Sequence, residues 1–391
     1  MIDFTRFRRP QRYIGNEWNV VKKTHNKKLK ICICYPDLYE IGMSNLGLRI
    51  IYGLLNEYKD VVCERVFMPG LDFLEFLNHS KTKLFSLETK TDLDKFDILG
   101  FHLGCELNFT NFLHILRAGN IPIWAKDRKK TIVIGGGVAN PEPLADFVDL
   151  FYLGEFEAIS DKFTEILRRY DRRDARLKAF SKTEGFYVPS LQNLSQTKKV
   201  HVKALDSAFY PSKWLTPHTM ITHDRAPVEI SRGCPNKCTF CQAQGQYWPY
   251  RERSIAKIKE IITRVYSSSG YENLSLLSLS ASDYSKIEKL VNEVYDYCRP
   301  RRINLSLPSL RIDDMIGPLY EKLNLLSKTS LTLAVEAPRD CLRNKLNKKI
   351  DIRKLFEAAK ILKSLKAKNL SLIHISEPTR PLYISYAVFC L

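Results

Sequence analysis

The chain has 391 residues, with 61 Lys and Arg against 43 Asp and Glu for a formal charge of +18, ten Cys, and 45% hydrophobic residues. That length exceeds one ordinary core and points to two domains of roughly 150 residues each plus connections, and the apolar content excludes a disordered chain. No apolar run reaches the roughly 18 residues of a membrane span, and the start MIDFTRFRRPQRY has no hydrophobic signal core, so a cytoplasmic protein without membrane contact is expected.

A basic, aromatic leader (1–28) precedes Leu29–Pro36, a short apolar run ended by proline that reads as a buried strand, and an apolar-periodic helix over Ser44–Glu57. Strands are predicted at Val61–Val66, Ile98–His102, Thr131–Ile134 and Leu150–Leu153, with helices near Asp72–Leu77, Asn108–Ala118 and Phe156–Tyr170. Alternation of this kind predicts an α/β domain over 29–170 with a doubly wound parallel sheet, whose ligands sit at the strands' carboxyl ends. Residues 171–225 lack long periodic stretches and read as a connector.

Alternation resumes over 226–370. Strands are expected at Val228–Ser231, Leu274–Leu279, Ile303–Leu307 and Ser330–Ala334, and helices at Ile255–Ser268, Tyr284–Tyr297, near Asp313–Leu325 and at Ile352–Lys366. Four βα units in series are the pattern of a barrel or partial barrel.

The charge is spread along the chain, at Lys22, Lys23, Arg168, Arg169, Arg172 and Arg173 among others, and reads first as solvated surface; RNA is the polyanion it would suit. The cysteines are more informative. Seven are dispersed (Cys32, Cys34, Cys63, Cys105, Cys298, Cys341 and Cys390) and read as small buried hydrophobes, whereas Cys234, Cys238 and Cys241 stand together as C-x3-C-x2-C just after a strand and the turn Arg232-Gly233. A structural zinc site wants four protein ligands, usually from two C-x2-C pairs. Three thiolates on a cubane iron–sulfur cluster instead leave one iron open for chemistry.

With its aromatic Phe240, the motif Cys234-Pro235-Asn236-Lys237-Cys238-Thr239-Phe240-Cys241 resembles the signature of the radical S-adenosylmethionine (SAM) superfamily, placed after the first strand of a partial (β/α)6 barrel. The resemblance implies a 4Fe-4S cluster on Cys234, Cys238 and Cys241, SAM on the open iron, reductive cleavage to a 5′-deoxyadenosyl radical, and a one-electron reductant of flavodoxin or ferredoxin type as partner. Phe240 is then expected near the adenine. Other contacts transfer less directly: the family's Gly-Gly-Glu at the second strand is Leu279-Ser280-Ala281-Ser282-Asp283 here, so Ser280 would substitute. Glu336, Arg253 and Arg311 are candidate SAM contacts, Arg253 for the carboxylate.

Segments including Arg12–Asn19, Pro36–Met43, Asn140–Pro143, His223–Pro227 and Ser306–Arg311 look like a bacterial subgroup with an N-terminal cobalamin-binding-like domain. Many cobalamin domains use D-x-H-x-x-G. Asp37-Leu38-Tyr39-Glu40-Ile41-Gly42 keeps Asp37 and Gly42 but has Tyr39 at the His position, so no axial His is expected. Gly135 and Gly136, after a predicted strand, could cradle cobalamin, with His102 and Glu106 as further polar residues nearby. Methyl transfer or RNA modification is a candidate reaction on an unspecified substrate, although Cys32, Cys34, Cys63 and Cys105 lack the spacing of a methylthiotransferase's second cluster. An alternative reading makes the chain a metal-stabilised RNA-binding module, with Tyr247-Trp248-Pro249-Tyr250 stacking bases.

Residues 371–391 begin with a stretch resembling a translated sequencing adapter and are expected to be an artefactual tail. Four units cannot close a six-unit barrel, so the radical SAM core is expected to be incomplete and the chain an inactive fragment.

Overall fold

A computed structural model describes residues 2–306 except Lys27, 331–348 except Pro338, and shorter stretches between 350 and 374. It divides into two compact units, Met1–Asp224 and Arg225–Leu391.

The first unit is built on a six-stranded sheet. Strand β1 (Leu29–Tyr35) is followed by α1 (Leu46–Glu57), β2 (Val61–Phe67), α2 (Leu71–Ser80), β3 (Ile98–Leu103) and α3 (Asn108–Ala118). Next come β4 (Ile132–Gly137), β5 (Leu150–Tyr152), α4 (Ser160–Arg169), α5 (Arg173–Phe180) and β6 (Phe186–Tyr187). The strand order is β2-β1-β3-β4-β5-β6, parallel through β5, with β6 antiparallel at the edge. This is the doubly wound topology that the sequence predicts.

Both faces are covered, and β1 shows why its sequence reads as one apolar run. Ile31, Ile33 and Tyr35 enter one core with Tyr39 and Leu48, while Cys32 and Cys34 enter the opposite core with Phe101 and Phe112. Helix α1 begins where the Asn45 side chain accepts from Leu48 N at 2.9 Å, two residues later than the periodicity suggests.

Residues flanking the predicted domain also belong to this unit. Trp18 and Thr216 form an antiparallel bridge, and Glu17 Oε2 accepts from the buried Arg65 at 3.0 Å. Helix α5 escapes sequence reading because Arg173, Asp174, Arg176 and Lys178 break its apolar pattern; Leu177 and Phe180 are buried in the core and Ala179 packs against it. The dispersed cysteines divide: Cys32, Cys34, Cys63 and Cys298 are buried, but Cys105 and Cys341 are exposed, contrary to the expectation for that set. Cys390 lies outside the described residues.

In the second unit, β7 (Ala226–Glu229), α6 (Ile255–Ser269), β8 (Asn273–Leu277), α7 (Ile287–Cys298) and β9 (Asn304–Ser306) form two successive βα units and a third strand. The ladder β9-β8-β7 is parallel, with Leu274 opposite both Ala226 and Leu305. A second parallel pair joins β10 (Leu331–Glu336) to β11 (Leu370–His374), and between them lies α8 (Asp340–Lys345), which periodicity did not reveal. The predicted helix near Asp313–Leu325 and the site candidate Arg311 lie outside the described residues, as does most of the predicted helix at Ile352–Lys366. Among the described residues, no helix is long and apolar enough to cross a membrane.

Candidate functional site

The cysteine loop leaves the carboxyl end of β7. Its entry is fixed by a two-residue antiparallel ladder, Ser231 opposite Glu252 and Arg232 opposite Arg251. Gly233 then turns the chain at φ +89°, where a Cβ would stand 2.7 Å from Tyr247 O and 2.8 Å from Pro249 O. Only glycine accepts both that dihedral and that contact.

Beneath the turn lies a charged support. Glu229 receives Arg232 through both carboxylate oxygens, each at 2.9 Å, and Arg253 Nη2 at 3.2 Å. Arg253 also donates from Nε to Glu229 O at 3.1 Å and is only 1% exposed. A buried guanidinium engaged in this way fixes the strand end that launches the loop.

The three thiols are free of disulfides; Cys234 and Cys238 are half-buried and Cys241 is exposed. Among the described residues no three metal-ligating side chains already converge. The donor set nevertheless fits an iron–sulfur cluster: three thiols lie within eight residues on a surface-accessible loop. Phe240 is 46% exposed at the loop's tip.

Two neighbours hold the loop. Asn236 Nδ2 donates to Asp283 Oδ2 at 2.5 Å and lies 3.6 Å from Cys234 Sγ. Tyr250 hydroxyl donates to Asp283 O at 3.0 Å, tying the same turn to the ladder. In that turn Ser280 is buried, and its N donates to Ser278 Oγ at 3.0 Å, while Ser278 Oγ lies 2.7 Å from Ser231 Oγ. Ser280 therefore stands beside the loop's launching strand.

Glu336 ends β10 at a bulge, in the left-handed region at φ +68°. A buried, non-glycine residue held there stores about 1–3 kcal/mol of strain, which is characteristic of functional positions. Its Oε1 accepts from Lys348 Nζ at 2.7 Å, and the same ammonium lies 5.9 Å over the Phe240 ring. Glu336 and Phe240, far apart in sequence, are brought together through one lysine. Asn236, Glu229, Asn347 and Lys348 were not singled out from the sequence; the position of Asn236 inside the cysteine motif was the one available signal.

In the first unit the carboxyl ends of β1, β3 and β4 present Asp37, His102 and the glycine run. Asp37 is half-buried, its carboxyl pushed up by burial, and its Oδ1 accepts from Leu38 N at 2.7 Å. The His102 ring stacks on Tyr35 at 5.0 Å, and desolvation pushes its pKa down to about 4, so the ring is neutral at ordinary pH. Glu106 is exposed beyond β3. Gly135 is buried where a Cβ would stand 2.6 Å from the Phe151 ring, whereas Gly136 is open, its nearest such contact 3.8 Å away. Gly42 is buried against Phe67. Tyr39 points away from this edge: it is 1% exposed and its hydroxyl donates to Glu17 Oε1 at 3.1 Å.

Comparison with known proteins follows the same division. Residues 47–189 match the family described as radical SAM proteins, N-terminal, and residues 228–376 match the one described as the radical SAM superfamily. A curated relative from Methanocaldococcus jannaschii, described as an uncharacterized protein, is 26% identical over 345 residues, which cover 88% of this chain and 68% of the relative. Among solved structures, the cobalamin-dependent S-adenosylmethionine radical enzyme OxsB with aqua-cobalamin bound has a TM-score of 0.60 at 13% identity, over 89% of this chain. The match covers 49% of OxsB, so the chain spans about half that enzyme's length. The radical S-adenosylmethionine methyltransferase TsrM from Kitasatospora setae, with cobalamin and a 4Fe-4S cluster bound, has a TM-score of 0.57 at 11% identity, over 89% of this chain and 69% of TsrM. At these identities the likeness is one of fold.

Proposed function

Because the chain belongs to the radical SAM superfamily, we propose that Cys234, Cys238 and Cys241 hold a 4Fe-4S cluster whose open iron takes S-adenosylmethionine. When bound, such a cluster supplies the electron that cleaves SAM reductively to methionine and a 5′-deoxyadenosyl radical, with a flavodoxin- or ferredoxin-type donor as its source. The observation that carries this reading is the loop itself: three cysteine thiols, none in a disulfide, in eight residues at the carboxyl end of β7, where an α/β sheet receives its ligands.

The chain's residues divide the work. Glu229, held by Arg232 and Arg253, fixes the loop's origin. With its guanidinium buried on Glu229, Arg253 acts as a positioning residue, which replaces the direct carboxylate contact expected from sequence. Phe240 would supply an apolar face for the adenine, and the turn at Ser280 would receive the SAM amino group. Glu336 offers its carboxylate to the ribose or methionine end. Arg311 remains a proposed contact outside the described residues.

The first unit is read as a cobalamin-binding fold without a protein axial ligand. Asp37 and Gly42 shape the loop after β1, Gly135 and Gly136 line the edge at β4, and Tyr39 is engaged elsewhere by Glu17. Methyl transfer is the reaction such a pairing favours, on a substrate that includes RNA among its candidates. Anaerobic reconstitution tests the reading, and with it the sequence-based expectation of an inactive fragment, from which this proposal departs: iron and sulfide uptake with reductant-dependent 5′-deoxyadenosine is the expected result, whereas stoichiometric zinc without iron would overturn it in favour of a structural metal site.

A further inference from the structure

A short segment distant in sequence closes over the cysteine loop. After α8, three successive residues touch it. Leu346 O accepts from Thr239 N at 3.0 Å, Asn347 Nδ2 donates to Lys237 O at 2.7 Å, and Lys348 Nζ lies 5.9 Å over the Phe240 ring. The residues contacted, Lys237, Thr239 and Phe240, flank Cys238 on both sides. Lys348 also reaches Glu336 Oε1 at 2.7 Å, and both partners are largely withdrawn from solvent, their side chains 19% and 10% exposed.

The contacts do two different things. Those of Leu346 and Asn347 are hydrogen bonds to the loop's backbone, so they set its path without regard to its side chains. The contact of Lys348 is between side chains and spans two elements: one ammonium neutralises a buried carboxylate on β10 and faces an aromatic ring on the loop. Without it, Glu336 would keep a strained backbone and lose the ammonium that its buried carboxylate faces.

We propose that Lys348 is a positioning residue for S-adenosylmethionine, holding Glu336 and Phe240 in place to contact the ligand, and that Asn347 positions the cluster loop. The assignment rests on the cluster reading above. A preformed pair lowers the ordering cost of binding, and loss of such supporting contacts typically weakens affinity by about tenfold or more. The thiols are untouched by either substitution, so iron uptake and SAM binding should separate.

The test uses the reconstituted full chain and its Lys348→Met, Lys348→Arg and Asn347→Ala variants. Iron and sulfide are measured first; SAM is then titrated against the electron paramagnetic resonance spectrum of the reduced cluster. The expected result is equal iron in all four, a SAM midpoint raised about tenfold or more in Lys348→Met and largely restored in Lys348→Arg, and faster iron loss to a chelator in Asn347→Ala. Superimposable SAM titrations for all four proteins would overturn the assignment alone. Loss of iron in Lys348→Met in step with lost SAM response, or an Arg variant no better than Met, would likewise make Lys348 a residue of the fold only. An unsubstituted chain that takes up no iron, or iron without any SAM response, would overturn the cluster reading and this assignment together.

Discussion

Asn236 and Asp283 meet at 2.5 Å, and this contact ties the cysteine loop to the turn that follows β8. The same amide lies 3.6 Å from Cys234 Sγ. Hydrogen bonds to ligating sulfur are among the features that set a cluster's reduction potential, because they stabilise the more negative, reduced form. An Asn236→Ala variant is therefore expected to assemble its cluster on the three cysteines but to be reduced at a more negative potential. Redox titration followed by absorbance reads this directly, and an unshifted midpoint would remove Asn236 from the electronics of the site.

Gly233 gives a steric prediction. Alanine there meets two backbone carbonyls at 2.7 and 2.8 Å and must hold φ +89°. Gly233→Ala should cost about 1–3 kcal/mol of local strain and slow iron uptake, because the turn that launches the loop is the part displaced. Thermal melting and the time course of iron incorporation check this; an unchanged melt with wild-type uptake would mean that the turn relaxes freely.

The buried cluster in the first unit predicts a pH dependence. Arg65 lies between Glu88 Oε1 at 2.6 Å and Glu17 Oε2 at 3.0 Å, and burial still pushes the Glu88 pKa up to about 7. Between the ordinary value of 4.5 and about 7, the folded chain holds a proton that the unfolded chain releases, so this contribution to stability is lost as pH rises through that window. His102, pushed down to about 4, has the opposite sign and is lost as pH falls through its own range. Comparing urea midpoints of the wild-type chain and Glu88→Gln at pH 5 and pH 8 isolates the first effect. The wild type should lose more stability than the variant over that interval; equal slopes would contradict the assignment.

Tyr39 is predicted to be structural. Its hydroxyl donates to Glu17, and burial pushes its pKa far up, which removes the phenolate a metal would need. Tyr39→Phe should cost about 1 kcal/mol through the lost hydrogen bond and leave the absorbance spectrum of added aqua-cobalamin unchanged. A spectral shift specific to the tyrosine would restore it as a ligand.

What could be read from the sequence follows from which forces are local. The strands β1 to β5 were legible because both faces of the sheet are buried, so runs such as Leu29–Tyr35 stand out as apolar against their flanks. Helix α5 and strand β6 were not, since two buried apolar side chains beside a buried Arg176 and a two-residue pairing leave almost no periodic trace. The cysteine motif was legible because its chemistry is compressed into eight consecutive residues. Its supports were not: Asp283, Asn347 and Lys348 reach the loop only through tertiary contacts separated by tens of residues, and Glu336, expected from the sequence as a SAM contact, is linked to Phe240 only through Lys348. The contact of Arg253 with Glu229 was likewise not legible, because a guanidinium in sequence does not announce which carboxylate it will meet.

The most direct test of the central claim is 5′-deoxyadenosine formation from SAM by the anaerobically reconstituted chain and its Cys238→Ala variant, with dithionite as reductant. Formation by the unsubstituted chain and its loss in the variant, together with lost iron and visible absorbance, is the predicted result. Equal formation by both proteins would contradict it.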